Sequence, residues 1–355
     1  MRPTTDRLLI VIPCLNEERH IETLLQQFLA ECPEALIVVA DGGSIDASRG
    51  IVNDVASAYA NVILLDNPAR IQSAGVNLAV KRFATGREWL LRVDAHCDYP
   101  RGYAHGLLAA AAERSASSVV VPMVSKGTNS FQIAAATAQN SPLGHGGSPH
   151  RRIGSGQFVD HGHHALMRLD LYQQVGGYDQ SLSHNEDAEL DQRLLAAGGR
   201  IWLEPGQAIT YYPRSDPRAL WRQYRGYGAG RFATMLRHRR FPKLRQLLPL
   251  AVPLAVILAI LAVPVLALAI LENANWAVWL SVAMTLPMMI WATLCLTYGM
   301  VLGILQRQPY SCASGIPAMI AHLAWGVGFL QQAARFQAGE EADCAPGEGI
   351  VIVEM

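Results

Sequence analysis

The sequence predicts an α/β domain on a mixed, mainly parallel sheet, followed by C-terminal membrane helices. Three observations predict it. Short apolar runs alternate with helix-length stretches through the first half of the chain. Acidic residues stand just past the ends of two of those runs, at Asp41 and Asp94. Near the C-terminus, three long stretches are almost free of charge.

The elements follow in order. Leu8–Ile12 is a continuous apolar run, the pattern of a parallel strand covered on both faces, and Pro13 ends it. Asn16 is placed to cap a helix reaching Leu29. Leu36–Ala40 is a second strand, Asp41-Gly42-Gly43-Ser44 a turn, and a helix is expected from Asp46 to Tyr59. Val62–Leu65 is a third strand, Ala74–Phe83 a helix, and Trp89–Val93 a strand ending at Asp94. Val119–Val124 reads as a further strand. Residues 125–160, rich in Gly, Ser, His and Pro, read as a long mobile loop. Short helices are expected over Leu169–Val175 and Asp187–Ala197, the second closed by Gly198-Gly199. Alternation of this kind makes a parallel sheet, and such sheets bind ligands beyond the carboxyl ends of their strands.

The tail differs in kind. No charged residue occurs from Gln246 to Leu271 or from Asn273 to Gln306, and His322 is the one side chain from Gln308 to Ala334 that can carry charge near neutral pH. Each stretch exceeds the roughly 20 apolar residues that cross a bilayer; the third, diluted by Gln308, Ser311, Ser314, Gln331 and Gln332, is the weakest. The basic run Arg237-His238-Arg239-Arg240 with Lys243 and Arg245 precedes the first span, and Arg307 lies between the second and third. By the excess of cations on the cytoplasmic side, the soluble domain and Arg307 are expected inside and Glu272 outside.

With 29 basic and 29 acidic residues the formal charge is zero, so there is no basic footprint for nucleic acid. Cys14, Cys32, Cys97, Cys295, Cys312 and Cys344 are scattered, which excludes a disulfide framework and a zinc knuckle and suits a reducing compartment. The first apolar run is short and followed at once by Asn16, Glu17, Glu18 and Arg19, unlike a secretory signal. His145, His150, His161, His163 and His164 lack the Glu-paired spacing and the cysteines of a structural zinc site. Taken singly, Asp41-Gly42-Gly43 is an ordinary turn, Asp94 a helix cap, and Asn185-Glu186-Asp187 a helix start.

As an ordered set they say more. Ile12-Pro13-Cys14-Leu15-Asn16-Glu17-Glu18, Ala40-Asp41-Gly42-Gly43-Ser44 and Gln72-Ser73-Ala74-Gly75-Val76-Asn77 resemble the family 2 glycosyltransferases. Arg92-Val93-Asp94-Ala95-His96, Val159-Asp160-His161-Gly162, Gly176-Gly177-Tyr178-Asp179, Asn185-Glu186-Asp187-Ala188-Glu189-Leu190, Tyr212-Pro213-Arg214-Ser215 and Arg222-Gln223-Tyr224-Arg225 are similar to its succinoglycan-type exopolysaccharide glucosyltransferases. The likeness covers residues 7–235.

The resemblance implies a GT-A-like (Rossmann-like) domain over residues 1–235, a basic interfacial segment over 236–246, two or three membrane helices over 247–335, and an acidic tail over 336–355. It implies inverting transfer of a hexose, glucose first, from a UDP-sugar to a saccharide on polyprenyl diphosphate, at the cytoplasmic face of the inner membrane. Pro13, Asn16, Glu17, Asp41, Gly43, Asp94, Arg222, Gln223 and Arg225 would bind the donor. Asp94 would hold Mn2+ or Mg2+, with His96 where many relatives have a second Asp. Asp187 would be the general base and Glu186 its orienting neighbour. A carboxylate at a helix N-terminus is stabilised when charged, whereas burial beside a second carboxylate raises its pKa; the residues alone leave that balance open. Gly226 stands where the family's processive synthases carry Trp, which favours single-sugar addition. The rival readings are a processive synthase, a polyprenyl-phosphate sugar transferase and, further off, a non-enzymatic membrane scaffold.

Overall fold

The computed structural model describes residues 4–145, 153–182, 184–239 and 244–338. In chain order the elements are β1 (Leu8–Cys14), α1 (Ile21–Glu31), β2 (Leu36–Asp41), α2 (Ser48–Ala58), β3 (Val62–Asp66), α3 (Gln72–Phe83), β4 (Trp89–Arg92), β5 (Cys97–Asp98) and α4 (Tyr103–Arg114). Then come β6 (Ser118–Val121), β7 (Met123–Ser125), α5 (Ser130–Gln139), α6 (Pro142–His145), β8 (Gln157–Val159), β9 (His163–Arg168), α7 (Leu169–Gln174) and α8 (Glu186–Ala196). The last are β10 (Ile201–Leu203), β11 (Ile209–Tyr211), α9 (Pro217–His238), α10 (Leu244–Leu271), α11 (Asn275–Gln306) and α12 (Gly315–Gln337).

The chain divides into two compact units. Among the described residues, the first comprises residues 4–124, 153–182 and 184–211, and the second comprises 125–145, 212–239 and 244–338. A border between the units falls at Tyr211–Tyr212, and residues 125–145 of the expected loop belong to the second unit. That segment is not simply a loop. Residues 130–139 form α5, capped by the Asn129 side chain, which accepts from the Gln132 amide, and its middle, Ala134–Ala138, is a run of small buried residues. Ala-rich sequence favours helix, but without a polar face it gives no amphipathic signal.

The first unit is an eight-stranded sheet in the order β3-β2-β1-β4-β9-β6-β10-β8. Pairs β1–β2, β1–β4, β2–β3 and β6–β10 are parallel, whereas β9 runs antiparallel to both β4 and β6, and β8 antiparallel to β10. Alternation along β1 sends Leu8, Ile10 and Ile12 to one face and Leu9 and Val11 to the other. The first face packs against Leu25 and Phe28 of α1, Val52 of α2 and Leu107 of α4. The second packs against Val76 and Val80 of α3, Tyr172 of α7 and Leu190 and Leu194 of α8. Helices therefore cover both faces, as the continuous apolar strands predict. The run Val119–Val124 is not one strand: Pro122 interrupts it, and β7 joins a separate three-stranded sheet, β5-β11-β7.

The second unit is helical, and three of its helical stretches, Leu248–Leu271, Asn275–Gln306 and Pro309–Gln337, are long and apolar enough to cross a membrane. The third is half buried against its neighbours over its most apolar window, compared with about a fifth for the others. Close packing between α9 and α12 depends on glycine. A Cβ at Gly228 would stand 2.0 Å from the Trp325 carbonyl oxygen, and one at Gly328 would stand 2.0 Å from that of Arg225. Residues 237–239 of the basic run finish and cap α9, whereas Arg240 and Lys243 and the acidic tail beyond Ala338 lie outside the described residues. Cys14, Cys32, Cys97, Cys295 and Cys312 are all free thiols.

Candidate active site

The register of the sheet builds the site. Cys14 at the end of β1 lies beside Asp41 at the end of β2, and Val11 lies beside Arg92 at the end of β4. Because β9 is antiparallel, its first residue, His163, pairs with Val121 at the carboxyl end of β6 and so falls on the same edge of the sheet. That edge gathers the ionisable groups.

Asp41 is 1% exposed and held by its own turn. Its Oδ1 accepts from the amides of Gly43 (3.0 Å) and Ser44 (3.1 Å) and from Arg49 Nη1 (2.6 Å), and its Oδ2 accepts from the Ser44 hydroxyl (2.5 Å). Gly43 is required there, since its φ of 88° lies in the left-handed region. Arg49 also reaches Asp66 at the end of β3 (2.8 Å). The turn after β1 interlocks with this one: Asn16 N–H donates to the Ser44 hydroxyl (2.8 Å), Asn16 Oδ1 accepts from Ile45 N–H (2.9 Å), and Glu17 N–H donates to the Ser48 hydroxyl (2.7 Å). Pro13 is the penultimate residue of β1. The Glu17 carboxylate, 6% exposed, faces His96 Nδ1 at 3.2 Å and His20 Nδ1 at 3.5 Å.

The second half of the site centres on Arg92, which is 4% exposed. Its Nε and Nη2 face the Asp94 carboxylate at 3.3 and 3.4 Å, while Nη1 donates to Asp187 Oδ1 (2.5 Å) and the Tyr178 hydroxyl (2.9 Å). Tyr178 in turn donates to Asp187 Oδ1 (2.9 Å). Gln72 Nε2 donates to Asp94 Oδ1 (3.0 Å). His163 stands between the carboxylates, with Nε2 3.3 Å from Asp94 Oδ2 and Nδ1 3.8 Å from Asp187 Oδ2. The backbone of Asp94 is fixed by Tyr99, whose hydroxyl accepts from the Asp94 amide (2.7 Å). Nearby, His161 Nδ1 lies 2.7 Å from the buried carboxylate of Asp191, one turn beyond Asp187 on α8.

Electrostatics separate these carboxyls. Burial alone would raise Asp94, but Arg92, the hydrogen bond and charge of His163, and His96 together hold it well below the usual carboxylate range. Burial would likewise lower the Arg92 guanidinium, yet Asp187 and Asp94 raise it well above its ordinary value. Glu186 goes the other way: burial first, then the neighbouring Asp187, push it up to about 7 against the pull of Arg92. Of the two effects that oppose each other at this helix start, burial wins at Glu186.

A divalent cation is implied by the family resemblance, and the donors suit one. Asp94 offers an ionised carboxylate, and His96 is half exposed. Glu17 accepting at His96 Nδ1 selects the tautomer with its lone pair on Nε2, the carboxylate–histidine arrangement common behind metals. One carboxylate and one imidazole leave most positions for phosphate oxygens and water, as Mg2+ and Mn2+ prefer.

The structure thus brings Pro13, Asn16, Glu17, Asp41, Gly43, Asp94, His96, Glu186 and Asp187 to one edge of the first unit. Arg222, Gln223 and Arg225 lie on α9 in the second unit, where Gln223 donates to the Tyr227 hydroxyl (3.0 Å) and Arg225 Nε to Gln331 Oε1 (2.7 Å). Sequence reasoning gave no role to Arg92, Gln72 or Tyr178, although all three sit in the quoted motifs, and none to Arg49. It offered His161 and His163 together for the acceptor pocket, without separating the two. Only the antiparallel insertion of β9 singles out His163.

Comparison with known proteins agrees with this geometry. The model of glycosyl transferase family 2 matches residues 9–176, and that of glycosyl transferase family group 2 matches residues 120–303. The chain is 45% identical over 336 residues to the succinoglycan biosynthesis protein ExoA of Rhizobium meliloti (strain 1021), covering 94% of this chain and 97% of that one. Its fold is similar to that of the mannosyltransferase PcManGT from Pyrobaculum calidifontis, solved in complex with GDP-Man and Mn2+, at a TM-score of 0.54 and 17% identity, over 91% of this chain and 87% of that one. With the mixed, mainly parallel sheet and its acidic carboxyl edge, these matches establish that the chain belongs to glycosyl transferase family 2 and is a GT-A-like glycosyltransferase.

Proposed function

We propose that this enzyme transfers a hexose, glucose first, from a UDP-sugar to a polyprenyl-diphosphate-linked saccharide, with inversion, during synthesis of a succinoglycan-type exopolysaccharide. One observation carries the reading. Asp94, after β4, and Asp187, at the start of α8, meet on the same guanidinium of Arg92, so donor-side and acceptor-side carboxylates share one site. The near full-length likeness to a succinoglycan biosynthesis protein supports the product class.

In the mechanism, the interlocked turns at Asn16–Glu17 and Asp41–Ser44 seat the nucleoside. Mn2+ or Mg2+ held by Asp94, with His96 beside it, would neutralise charge on the leaving diphosphate. Arg92 and Gln72 keep the Asp94 carboxylate ionised and aimed. The acceptor hydroxyl gives its proton to the Glu186–Asp187 pair as its oxygen attacks the anomeric carbon, and the bond to the diphosphate breaks on the opposite face. Arg222, Gln223 and Arg225 are assigned to the diphosphate and acceptor end. The apolar helices anchor the enzyme in the inner membrane with the first unit on the cytoplasmic side, where a polyprenyl-linked saccharide presents its growing end.

The test is incubation of the full chain in detergent with each of a panel of labelled nucleotide sugars and a polyprenyl-diphosphate saccharide. Transfer of a single hexose from a UDP-sugar, lost on adding EDTA and restored by Mn2+, is expected. Long products would point to a processive synthase, and transfer to polyprenyl phosphate itself to the other rival. No transfer from any sugar would end the enzyme reading.

A further inference from the structure

Length and composition admit three spans, but the contacts of the third stretch fix its direction. α10 and α11 form a hairpin: the Ser281 hydroxyl donates to the Ala262 carbonyl across it (2.9 Å), and residues 272–274 make its turn. α12 touches both arms. A Cβ on Gly326 would stand 2.5 Å from the Pro249 carbonyl oxygen and 2.7 Å from Pro253 Cγ, both on α10. One on Gly315 would meet the Cys295 carbonyl on α11, and one on Gly299 would meet the Gly315 amide. Counted from the turn at Asn273, these contacts lie about 20–24 residues along α10 and about 22–26 along α11, the same height of roughly 30–40 Å. Gly315 and Gly326 are separated by about 16 Å of helix. A helix crossing the bilayer beside the hairpin would change height by that distance between its two contacts, and α12 does not. It lies across the hairpin at the end remote from the turn, past the roughly 30 Å of hydrocarbon that a bilayer offers.

The neighbours of α12 agree. α9 accompanies its second half: Arg225 Nε donates to Gln331 Oε1 (2.7 Å), and the Phe232 ring lies against those of Phe329 and Phe336, with centroids 5.3 and 6.2 Å apart. α9 exposes Arg218, Arg222, Arg225 and Arg237 along its length, and guanidinium groups so spread keep a helix out of hydrocarbon. Nearer its start, the Thr137 and Ser311 hydroxyls share a hydrogen bond (2.7 Å), and His322 Nε2 donates to the Leu143 carbonyl (2.8 Å), so α5 and α6 cover another side. What α12 leaves open is one apolar stripe, Ile316, Ile320, Leu323, Val327 and Leu330, spaced by three or four residues.

We infer that α12 does not cross the membrane. With α9 it lies in the plane of the cytoplasmic leaflet, its stripe immersed at the boundary of headgroups and acyl chains and the arginines of α9 at the level of the lipid phosphates. The chain then crosses the bilayer twice, and Gln337 emerges on the same side as Gln308. The proposal rests on the membrane anchoring set out above and is independent of which sugar is transferred.

The experiment uses the full chain carrying Cys312→Ser and Cys344→Ser, since Cys14, Cys32, Cys97 and Cys295 are buried. Asn273→Cys, Gln308→Cys and Gln337→Cys are each treated with an impermeant maleimide in intact cells and after lysis. Gln337→Cys is expected to behave as Gln308→Cys does, reacting only after lysis, while Asn273→Cys reacts in both. Depth is read separately from spin labels on Ile316→Cys, Leu323→Cys and Leu330→Cys in nanodiscs, by relaxation with oxygen against a water-soluble nickel chelate. All three are expected at one shallow depth of roughly 5–10 Å. Reaction of Gln337→Cys from the side opposite Gln308→Cys overturns the proposal. So does a label on Leu323→Cys lying deeper than both of its neighbours by about 10 Å, the drop of a spanning helix over seven residues. Protein recovered in the soluble fraction without detergent sinks the anchoring itself, whereas the other two outcomes in membrane-bound protein sink only the course of α12.

Discussion

Arg92 is the residue on which the site turns. It is buried, and the carboxylates of Asp94 and Asp187 compensate its charge. Removing one partner of a buried ionic cluster strands the other charges in a poorly solvated place, at a cost of about 3–5 kcal/mol. Arg92→Met should therefore lower stability by about that amount and abolish transfer, read by denaturant unfolding and by turnover. A variant as stable and as active as the wild type would show that the cluster is dispensable. The raised Glu186 carboxyl makes a second prediction. With an unfolded value of 4.5 and a folded value of about 7, the folded protein holds this proton more tightly than the unfolded chain. Its contribution to stability therefore falls as pH rises from 4.5 through 7 and is constant beyond. In Glu186→Gln this decline should flatten, as measured by thermal unfolding across that range. In activity, kcat of the wild type should drop on the acid side of about 7, where Glu186 is protonated. At this scale the sequence pointed to Asp94, Glu186 and Asp187 through their motifs. Their protonation behaviour was not legible, because it depends on which cation lies within 3 Å or so, and Arg92 meets Asp187 across 95 residues of chain.

Among the elements, the parallel strands β1 to β4 were readable because continuous apolar runs end at Pro, Gly or Asp. The strands β8 to β11 were not. Three of them have only three residues, too few for a period to show, and β9 begins with two histidines. Their identity comes from pairing, and pairing is a property of the folded sheet. The crossing of α9 and α12 is a similar case, set by contacts at Gly228 and Gly328 that a sequence cannot display. Gly328→Val should force the helices apart, costing roughly 1–3 kcal/mol by overpacking and lowering the melting temperature. Gly50→Ala in α2 meets nothing within 4 Å of the new Cβ and should raise stability by about 0.4–1 kcal/mol. Equal effects of the two substitutions would refute the close crossing.

At the scale of the whole molecule, a sheet unit with an acidic edge and a helical unit with three apolar stretches are joined in one chain. The charge bias around the stretches predicts an orientation for them. Asn273, in the loop between α10 and α11, is predicted to face outward, and Gln308, between α11 and the third stretch, inward. Cysteine placed at Asn273 should react with an impermeant maleimide in intact cells, while cysteine at Gln308 should react only after lysis. The reverse pattern would invert the assigned orientation.

The sequence by itself determined the class of sheet, the apolar stretches and the family, because these reside in local patterns: runs, periods and short motifs. It also singled out Asp94, Glu186 and Asp187 as the candidates for the chemistry. The tertiary structure decided that α5 packs with the helical unit, that β9 enters the sheet reversed to deliver His163, and that Arg92 joins the carboxylates of Asp94 and Asp187. Those outcomes depend on contacts between residues far apart in the chain, and local propensity carries no information about which distant groups will meet.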